Sequence, residues 1–285
     1  MNLAKIIDGK AIAANLRQNI IKDVLELKSS KNIIPGLAVI LVGDNPASKL
    51  YVRNKITACK KVGIKLFEFY PEANVSEVEL IKLINSLNEN KEIHGILVQL
   101  PLPDHINSMN IINAIDPRKD VDGFTATNLG KLVTEQDCFV PCTPQGCLIL
   151  IKSIIDKLDG LNALVVGRSN IVGKPMLHVL IQNNCTVTLA HSHTKNLPLL
   201  CKQADILVVA VGSSNLIKGD WIKPGSTVID VGINYTADNK ITGDVDFKEA
   251  AHYAGAISPV PGGAGPMTVT CLLKNTLKSA LYSAL

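Results

Sequence analysis

The feature that most constrains the fold is a set of short apolar runs that recur along the chain. They are rich in β-branched residues and nearly continuous, and they read GLAVILV (36–42), HGILVQL (94–100), NALVVG (162–167), CTVTLA (185–190), ADILVVAVG (204–212) and STVIDVG (226–232). Parallel strands that are buried on both faces have this composition, and the segments between the runs have helical length and spacing. The sequence therefore predicts an α/β fold made of repeated β-α units.

The length of the chain predicts two domains, because 285 residues exceed the size of most single cores. The stretch 116–145 is polar, collects Pro, Gly, Asp and Thr, and has no clear period, so we place the domain junction near its end. The last segment, which has leucines at helical spacing, predicts a terminal helix that returns to the first domain. We expect an N-terminal domain of residues 1–140, joined by the helix 267–285, and a second domain of residues 141–266.

Composition and charge exclude several classes of protein. Although 47% of the residues are hydrophobic, no uninterrupted apolar run is long enough to predict a membrane span. The 29 basic and 25 acidic residues are interspersed, which argues against a nucleic-acid partner. The N-terminal segment alternates charged and apolar residues and lacks the apolar segment of a secretory signal, so we expect a cytoplasmic protein.

The seven cysteines do not predict a metal site. Cys142 and Cys147 form a C-x4-C pair, but neither a second cysteine pair nor a suitably spaced histidine pair completes four ligands. We expect most of the cysteines to be buried as small apolar side chains, and we expect no bound metal.

The segment VVGRSNIVGKP (165–175) resembles two nucleotide-binding loops and matches neither. A phosphate-binding P-loop requires four residues between its glycines and a Ser or Thr after the lysine, whereas this segment has five and places Pro175 there. A dinucleotide-binding turn requires a strand, a glycine-rich turn and a helix N-terminus, and these parts follow in order. Gly167 supplies the tight turn, Ser169 stands where the second glycine is usual, and Gly173 allows close packing.

The end of the next strand favours NADP over NAD. NAD-binding sites place a carboxylate there to bind the ribose hydroxyls, but this strand ends in His191, Ser192 and His193. Arg168 in the preceding turn is suited to a phosphate. A further strand ends at Gly232 and Ile233, where an open sheet positions ligands. The alternative is that Arg168 is a solvated loop charge and the histidines are surface residues.

Three polar residues share one face of a helix predicted to begin at Asn45 or Pro46. Ser48, Tyr51 and Lys55 follow at spacings of three and four. Base catalysis by a lysine requires burial or a polar partner that lowers its pKa, and a neutral amide orients the amine without holding its charge. Gln99 at a strand end fits that role. The alternatives are a solvated helix face and an amide that binds only backbone.

The run SPVPGGAGPMTV (258–269) precedes the terminal helix and combines prolines with glycines. Glycines allow a backbone to approach a ligand closely, and prolines fix the shape of a loop. A simple connector rarely needs both.

Six segments, in this order and spread over most of the chain, resemble the bifunctional methylenetetrahydrofolate dehydrogenase/cyclohydrolase family: YVRNK, GILVQLPLP, DPRKDVDGF, PCTPQG, GRSNIVGKP and PGGAGPMTV. The resemblance implies oxidation of methylenetetrahydrofolate with NADP, followed by hydrolysis of the methenyl product to formyltetrahydrofolate. It also implies a Rossmann-like NADP-binding domain with a parallel sheet, an α/β N-terminal catalytic domain, a folate-binding cleft between the two, and a homodimer.

The resemblance also assigns roles to residues. Lys55 matches the lysine of the hydrolytic step and Gln99 its hydrogen-bonding partner, while Tyr51 matches the aromatic that packs along the p-aminobenzoyl group and Asp122 the carboxylate that anchors the pterin. The remaining matches to folate are Ser48, Leu100, Pro101, Pro261, Gly262 and Gly263. The matches to the cofactor are Gly167, Arg168, Ser169, Ser192, Gly232 and Ile233.

Three other functions remain as alternatives to the bifunctional enzyme. A dehydrogenase alone would let the methenyl intermediate accumulate. A P-loop phosphotransferase would require magnesium-dependent ATP turnover. A non-catalytic nucleotide-binding module would leave Asp122 and the polar helix face without a purpose.

Overall fold

A computed structural model describes residues 3–236, 238 and 240–283. The chain divides into two compact units, each made of two segments. We call residues 1–14 with 143–268 the six-stranded unit, and residues 15–142 with 269–285 the three-stranded unit. The predicted domain boundaries differ from these units chiefly in assigning residues 1–14 to the first domain, and they stay a prediction.

Helices and strands alternate along most of the described chain. The helices are α1 (Gly9–Lys31), α2 (Pro46–Val62), α3 (Glu77–Glu89), α4 (Ser108–Asn113), α5 (Ala126–Val133), α6 (Cys142–Lys152), α7 (Gly173–Ile181), α8 (Leu197–Gln203), α9 (Phe247–Ala250) and α10 (Ala264–Ser283), with a 3-10 turn at Gly219–Trp221. The strands are β1 (Lys5–Ile6), β2 (Gly36–Ile40), β3 (Lys65–Phe69), β4 (Gly95–Val98), β5 (Asn162–Val166), β6 (Thr186–Ala190), β7 (Ile206–Val209), β8 (Thr227–Asp230), β9 (Asn234–Tyr235), β10 (Ile241–Thr242) and β11 (Ala256–Ile257).

The six-stranded unit is built on a parallel sheet with the order β1-β11-β8-β7-β5-β6. Its central strands β5 and β7 are apolar and almost wholly buried, because helices cover both faces of such a sheet. A β9-β10 hairpin follows β8. The predicted α/β class with a parallel sheet is confirmed, and each of the six apolar runs contains a strand of the structure.

The three-stranded unit is built on a second parallel sheet with the order β3-β2-β4. Leu80, Ile84 and Leu87 lie at spacings of four and three on α3 and are buried in the core that contains β2 and β4. Burying one such side chain contributes about 1.5–3 kcal/mol. This hydrophobic stripe fixes α3 against the sheet.

The ends of α2 follow from local sequence. The side chain of Asn45 accepts a hydrogen bond from the Ser48 amide at 3.1 Å, and Pro46 occupies the first helical position, where its missing amide hydrogen costs nothing. Gly63 ends the helix with φ at 83°, a left-handed conformation that favours glycine. The predicted start of this helix at Asn45 or Pro46 is confirmed.

The terminal helix α10 begins at Ala264, so Pro266 lies in its first turn as the sequence indicates. Its later residues belong to the three-stranded unit. The Asn275 side-chain amide donates to the Val121 carbonyl at 2.8 Å, and the Ser279 hydroxyl donates to the Arg118 carbonyl at the same distance. These buried hydrogen bonds join α10 to the segment that precedes Asp122.

Candidate active site

Lys55 and Gln99 form a polar pair in the three-stranded unit. Lys55 lies on α2, and Gln99 directly follows β4, so a helix side chain meets a strand end. The Lys55 Nζ donates to the Gln99 Oε1 at 3.0 Å. The Gln99 Nε2 donates to the Leu100 carbonyl at 2.7 Å, which leaves the acceptor oxygen of the amide facing Lys55. The structure therefore joins the two residues that the sequence suggested as partners.

Asp122 is close enough to Lys55 for their charges to interact. Burial raises the pKa of the Asp122 carboxyl, and the Lys55 charge opposes this rise. Burial, with Asp122 nearby, also holds the pKa of the Cys142 thiol well above its ordinary value. The thiol is therefore neutral and donates to the Val121 carbonyl at 3.3 Å. Cys142 was not predicted at this site, and its position within PCTPQG is the sequence signal that could have found it.

The loop that carries Asp122 is held by a second carboxylate, Asp120, which the sequence analysis also missed. Asp120 is 1% exposed. Its carboxylate accepts hydrogen bonds from the amides of Gly123, Phe124 and Thr125 at 2.8–3.1 Å, and from the Asn128 side chain at 2.8 Å. These four donors compensate a buried charge and fix the loop on both sides of Asp122.

The other predicted folate residues of this unit lie on the same elements. Ser48 is buried, whereas Tyr51 is half-buried one turn before Lys55 on α2. Leu100 is half-buried and Pro101 is exposed, directly after Gln99, and the peptide bond between them is cis. The spacing of three and four that predicted a shared helix face is present, and the assigned roles stay predictions.

The turn after β5 in the six-stranded unit shows why its glycines are needed. Gly167 has φ at 120°, and a β-carbon there would collide with the Ala210 carbonyl oxygen. A β-carbon at Gly173 would collide with the Gly167 carbonyl. The Ser169 hydroxyl accepts the amides of Val172 and Gly173 at 3.2 and 3.4 Å. Ser169 thus binds the free amides at the start of α7, a contact that a glycine could not make.

The lysine of this segment does not adopt a P-loop role. The Lys174 Nζ donates to the Asn170 side chain at 2.8 Å, within the same turn. The buried Pro175 follows it inside α7. The local geometry is therefore that of a dinucleotide-binding turn rather than a P-loop.

The turn after β6 lies beside the Gly167 turn, because β5 and β6 are neighbours and the Gly167 amide donates to the Ala190 carbonyl at 2.9 Å. Arg168, Ser192 and His193 are exposed there. Desolvation, with the charge of Arg168 and with His193 beside it, lowers the pKa of His191, which is therefore neutral at pH 7. Neither turn contains a carboxylate that would repel a phosphate group. These residues therefore fit a ribose that carries a phosphate.

Gly232 and Ile233 follow β8 at the same edge of the sheet. A β-carbon at Gly232 would collide with the Asp244 carboxylate, and Ile233 is 41% exposed. Asp230 and Asp244, both buried beside this turn, had no signal in the sequence analysis. Buried aspartates in a loop follow no periodic pattern, so only the structure reveals them.

The loop before α10 is shaped by its glycines, as the sequence suggests. Gly262 has φ at 119°, and the Gly263 amide donates to the Pro259 carbonyl at 2.8 Å. Pro261 is exposed, and its preceding peptide bond is cis. The predicted contact of this loop with folate stays a prediction.

Among the residues that the structure describes, no helix is both long and apolar enough to cross a membrane. The same residues contain no cluster of three or more His, Cys, Asp or Glu side chains suited to a metal ion.

Comparison with known proteins gives matches over nearly the whole chain. The family profile "Tetrahydrofolate dehydrogenase/cyclohydrolase, catalytic domain" matches residues 7–122, and the profile for the NAD(P)-binding domain of the same family matches residues 141–284. The bifunctional protein FolD of Paramagnetospirillum magneticum is 55% identical over 281 residues, which cover 97% of this chain and 95% of that protein.

Solved structures agree with the sequence matches. The bifunctional FolD methylenetetrahydrofolate dehydrogenase/cyclohydrolase of Campylobacter jejuni superposes with a TM-score of 0.96 at 47% identity, covering 98% of this chain and 99% of that one. The Trypanosoma brucei enzyme, solved with NADP and an inhibitor, has a TM-score of 0.94 at 37% identity, with 99% of both chains covered.

Proposed function

The chain belongs to the tetrahydrofolate dehydrogenase/cyclohydrolase family, and we propose that Lys55, Gln99 and Asp122 serve its hydrolytic reaction while the turn 167–169 binds its cofactor. The enzyme oxidises methylenetetrahydrofolate to methenyltetrahydrofolate with NADP and hydrolyses that product to formyltetrahydrofolate. The observation that carries our residue assignment is the 3.0 Å hydrogen bond between Lys55 and Gln99, with the half-buried Asp122 near enough for its charge to interact with Lys55.

The hydrolytic step requires a proton to leave the water that attacks the methenyl carbon. Lys55 carries the amine on the polar face of α2, and its Nζ assists this transfer. Gln99 is a neutral acceptor, so it orients the amine without a negative charge that would hold it protonated. Asp122 anchors the pterin, and Tyr51 packs along the p-aminobenzoyl group.

The residues of the six-stranded unit fit NADP. Gly167 and Gly173 leave no room for a side chain in the turn, and Ser169 orders the first amides of α7. Arg168 supplies a guanidinium for the ribose phosphate, with Ser192 beside it. NADP, when bound, supplies the acceptor for the hydride that the methylene carbon loses. The oxidation needs no side-chain acid, so this unit contributes binding and orientation.

The assembly is also part of the proposal. The family resemblance supports a homodimer, and closed twofold dimers are the most common soluble assemblies. Size-exclusion chromatography with light scattering measures the assembly directly, and a monomer at micromolar concentration would contradict the homodimer.

One assay tests the function. The purified protein is given methylenetetrahydrofolate with NADP or NAD, and the reduced cofactor, the methenyl intermediate and the formyl product are measured over time. We expect NADP reduction followed by the formyl product. Accumulation of the methenyl compound would leave only the dehydrogenase, and magnesium-dependent ATP hydrolysis without cofactor reduction would favour the phosphotransferase.

A further inference from the structure

The Asp244 carboxylate lies at the centre of a hydrogen-bond network in the six-stranded unit. The side chain is fully buried. Its Oδ2 accepts the amides of Val211 and Gly212 at 2.7 and 3.0 Å. Its Oδ1 accepts the Ser213 amide and the Asn234 side-chain amide, both at 2.8 Å. Four N–H donors therefore converge on one buried carboxylate and satisfy both of its oxygens.

These donors come from two loops at the carboxyl edge of the parallel sheet, where α/β proteins bind their ligands. Residues 211–213 follow β7, and Asn234 follows β8 and Ile233. The first loop also touches the cofactor turn, since the Ala210 carbonyl occupies the space that a side chain at Gly167 would need. Asp244 thus connects the Gly167 turn with the loop that contains Ile233.

A second buried carboxylate holds Asp244 in place. The Asp230 Oδ1 accepts the Asp244 amide at 3.0 Å, and its Oδ2 accepts the Val245 amide at 2.9 Å. Gly232 and Gly243 border the two carboxylates so closely that a β-carbon at either would collide with one of them. The position of Asp244 is therefore fixed from its backbone as well as from its side chain.

The network requires a carboxylate rather than an amide. A carboxylate offers acceptor positions on both oxygens, whereas an asparagine would place an NH2 group against two of the backbone N–H groups. The outer surface of residues 211–213 is exposed, so few packing contacts replace the lost hydrogen bonds. Without Asp244, the loop loses its main internal support.

We propose that Asp244 is a positioning residue of the dehydrogenase, which fixes the loops 211–213 and 232–234 in the shape that NADP requires. The inference rests on the proposed function of the six-stranded unit. It predicts separate effects on the two activities, because the residues assigned to hydrolysis lie in the other unit.

The test compares Asp244→Asn with Asp246→Asn. Asp246 lies two residues further on and caps α9 by accepting the Glu249 amide, a role that asparagine also fills. We measure NADP binding by calorimetry, hydrogen exchange of residues 211–213 without ligand, and hydrolysis of added methenyltetrahydrofolate without cofactor. The last assay bypasses the dehydrogenase.

In Asp244→Asn, we expect NADP to bind about tenfold more weakly or worse, since hydrogen bonds to charged groups are strong. The amides of 211–213 should exchange faster, and hydrolysis should stay within about twofold of wild type. Asp246→Asn should match wild type in all three. Faster exchange with unchanged NADP affinity would overturn the inference. An equal loss of hydrolysis would also overturn it, because the effect would then be global.

A milder variant decides the matter if Asp244→Asn does not fold. Asn234→Ala removes one of the four donors and keeps the carboxylate. It should weaken NADP binding about threefold and speed exchange in 211–213, while wild-type values for both would refute the inference. The two failures are distinguishable. A wild-type enzyme that does not reduce NADP would contradict the proposed function, whereas a variant that behaves like an active wild type would contradict only the role of Asp244.

Discussion

The two units prepare their sites by different means. In the three-stranded unit, the site is formed by side chains: the Lys55 amine bonds the Gln99 amide and lies near Asp122, whose pKa burial raises. In the six-stranded unit, backbone shape dominates, since backbone carbonyls approach Gly167 and Gly173 too closely for any side chain and Asp244 orders a loop. Proton transfer needs a tuned side chain, whereas hydride transfer to a cofactor needs orientation. This difference is the one that the proposed assignment of hydrolysis to Lys55 and of cofactor binding to the Gly167 turn requires.

The largest effect is expected in the three-stranded unit, on the rate of hydrolysis. Lys55→Met should lower hydrolysis of methenyltetrahydrofolate by about 10²- to 10⁴-fold, the usual contribution of a proton-transfer group, while NADP affinity stays unchanged. Kinetics with methenyltetrahydrofolate and calorimetry with NADP measure the two effects. Lys60→Met, exposed on the same helix, is the control. Normal hydrolysis by Lys55→Met would remove Lys55 from the mechanism.

The next effect is expected in the six-stranded unit, on NADP affinity and on stability. Gly173→Ala forces a β-carbon against the Gly167 carbonyl, so NADP affinity should fall at least tenfold and the free energy of unfolding by about 1–3 kcal/mol. Calorimetry and urea unfolding measure these changes. Gly130→Ala in α5 is the control, because its β-carbon meets no atom within 4 Å. NADP affinity equal to wild type would show that the turn is not the cofactor site.

A smaller effect, at Arg168, separates recognition of the ribose phosphate of NADP from the shape of the Gly167 turn. Arg168→Gln should weaken NADP binding about tenfold and leave NAD binding unchanged, since only NADP carries the additional phosphate. Dissociation constants for both cofactors test this. The exposed Lys202→Gln in α8 should change neither. Equal weakening of both cofactors would assign Arg168 to the shared part of the dinucleotide.

The last effect concerns pH and Asp230, the buried carboxylate that supports Asp244. Burial raises the pKa of Asp230 to about 6 from its usual 3.8. Between about pH 4 and 6, the folded state therefore holds a proton that the unfolded state releases, so stability falls as pH rises through this window and is level above it. The fall is at most about 3 kcal/mol, because one pKa unit corresponds to about 1.4 kcal/mol.

Urea unfolding from pH 4 to 7 tests the titration of Asp230. The Asp230→Asn variant should lose this fall, because its side chain does not titrate. Asp238→Asn serves as a control for charge alone. If Asp230→Asn keeps the full pH dependence, another group is responsible for it.

The sequence predicted the strands with a strong local pattern and missed those without one. The six apolar runs are buried on both faces, so their composition alone identifies them. Strand β3 reads KLFEF, and its Lys65 and Glu68 are exposed, so it lacks a continuous apolar run. The two-residue strands, such as β11, are defined by their partners rather than by their own residues.

The site was predictable in the same uneven way. Helical spacing placed Ser48, Tyr51 and Lys55 on one face, and strand-end polarity drew attention to Gln99. Asp120 and Asp244 were missed, because a buried aspartate in a loop has the same sequence appearance as a solvated one. Its role depends on amides that lie up to 33 residues away along the chain.

Sequence alone is enough to fix the α/β class, the strong strands, the ends of α2 and the glycine turn after β5, since these depend on neighbouring residues and on periodic burial. The tertiary structure alone decided that Lys55 bonds Gln99, 44 residues away, and that Asp244 gathers four N–H groups. Local propensity is encoded within a few residues, whereas burial and charge compensation arise only when distant segments share the same space.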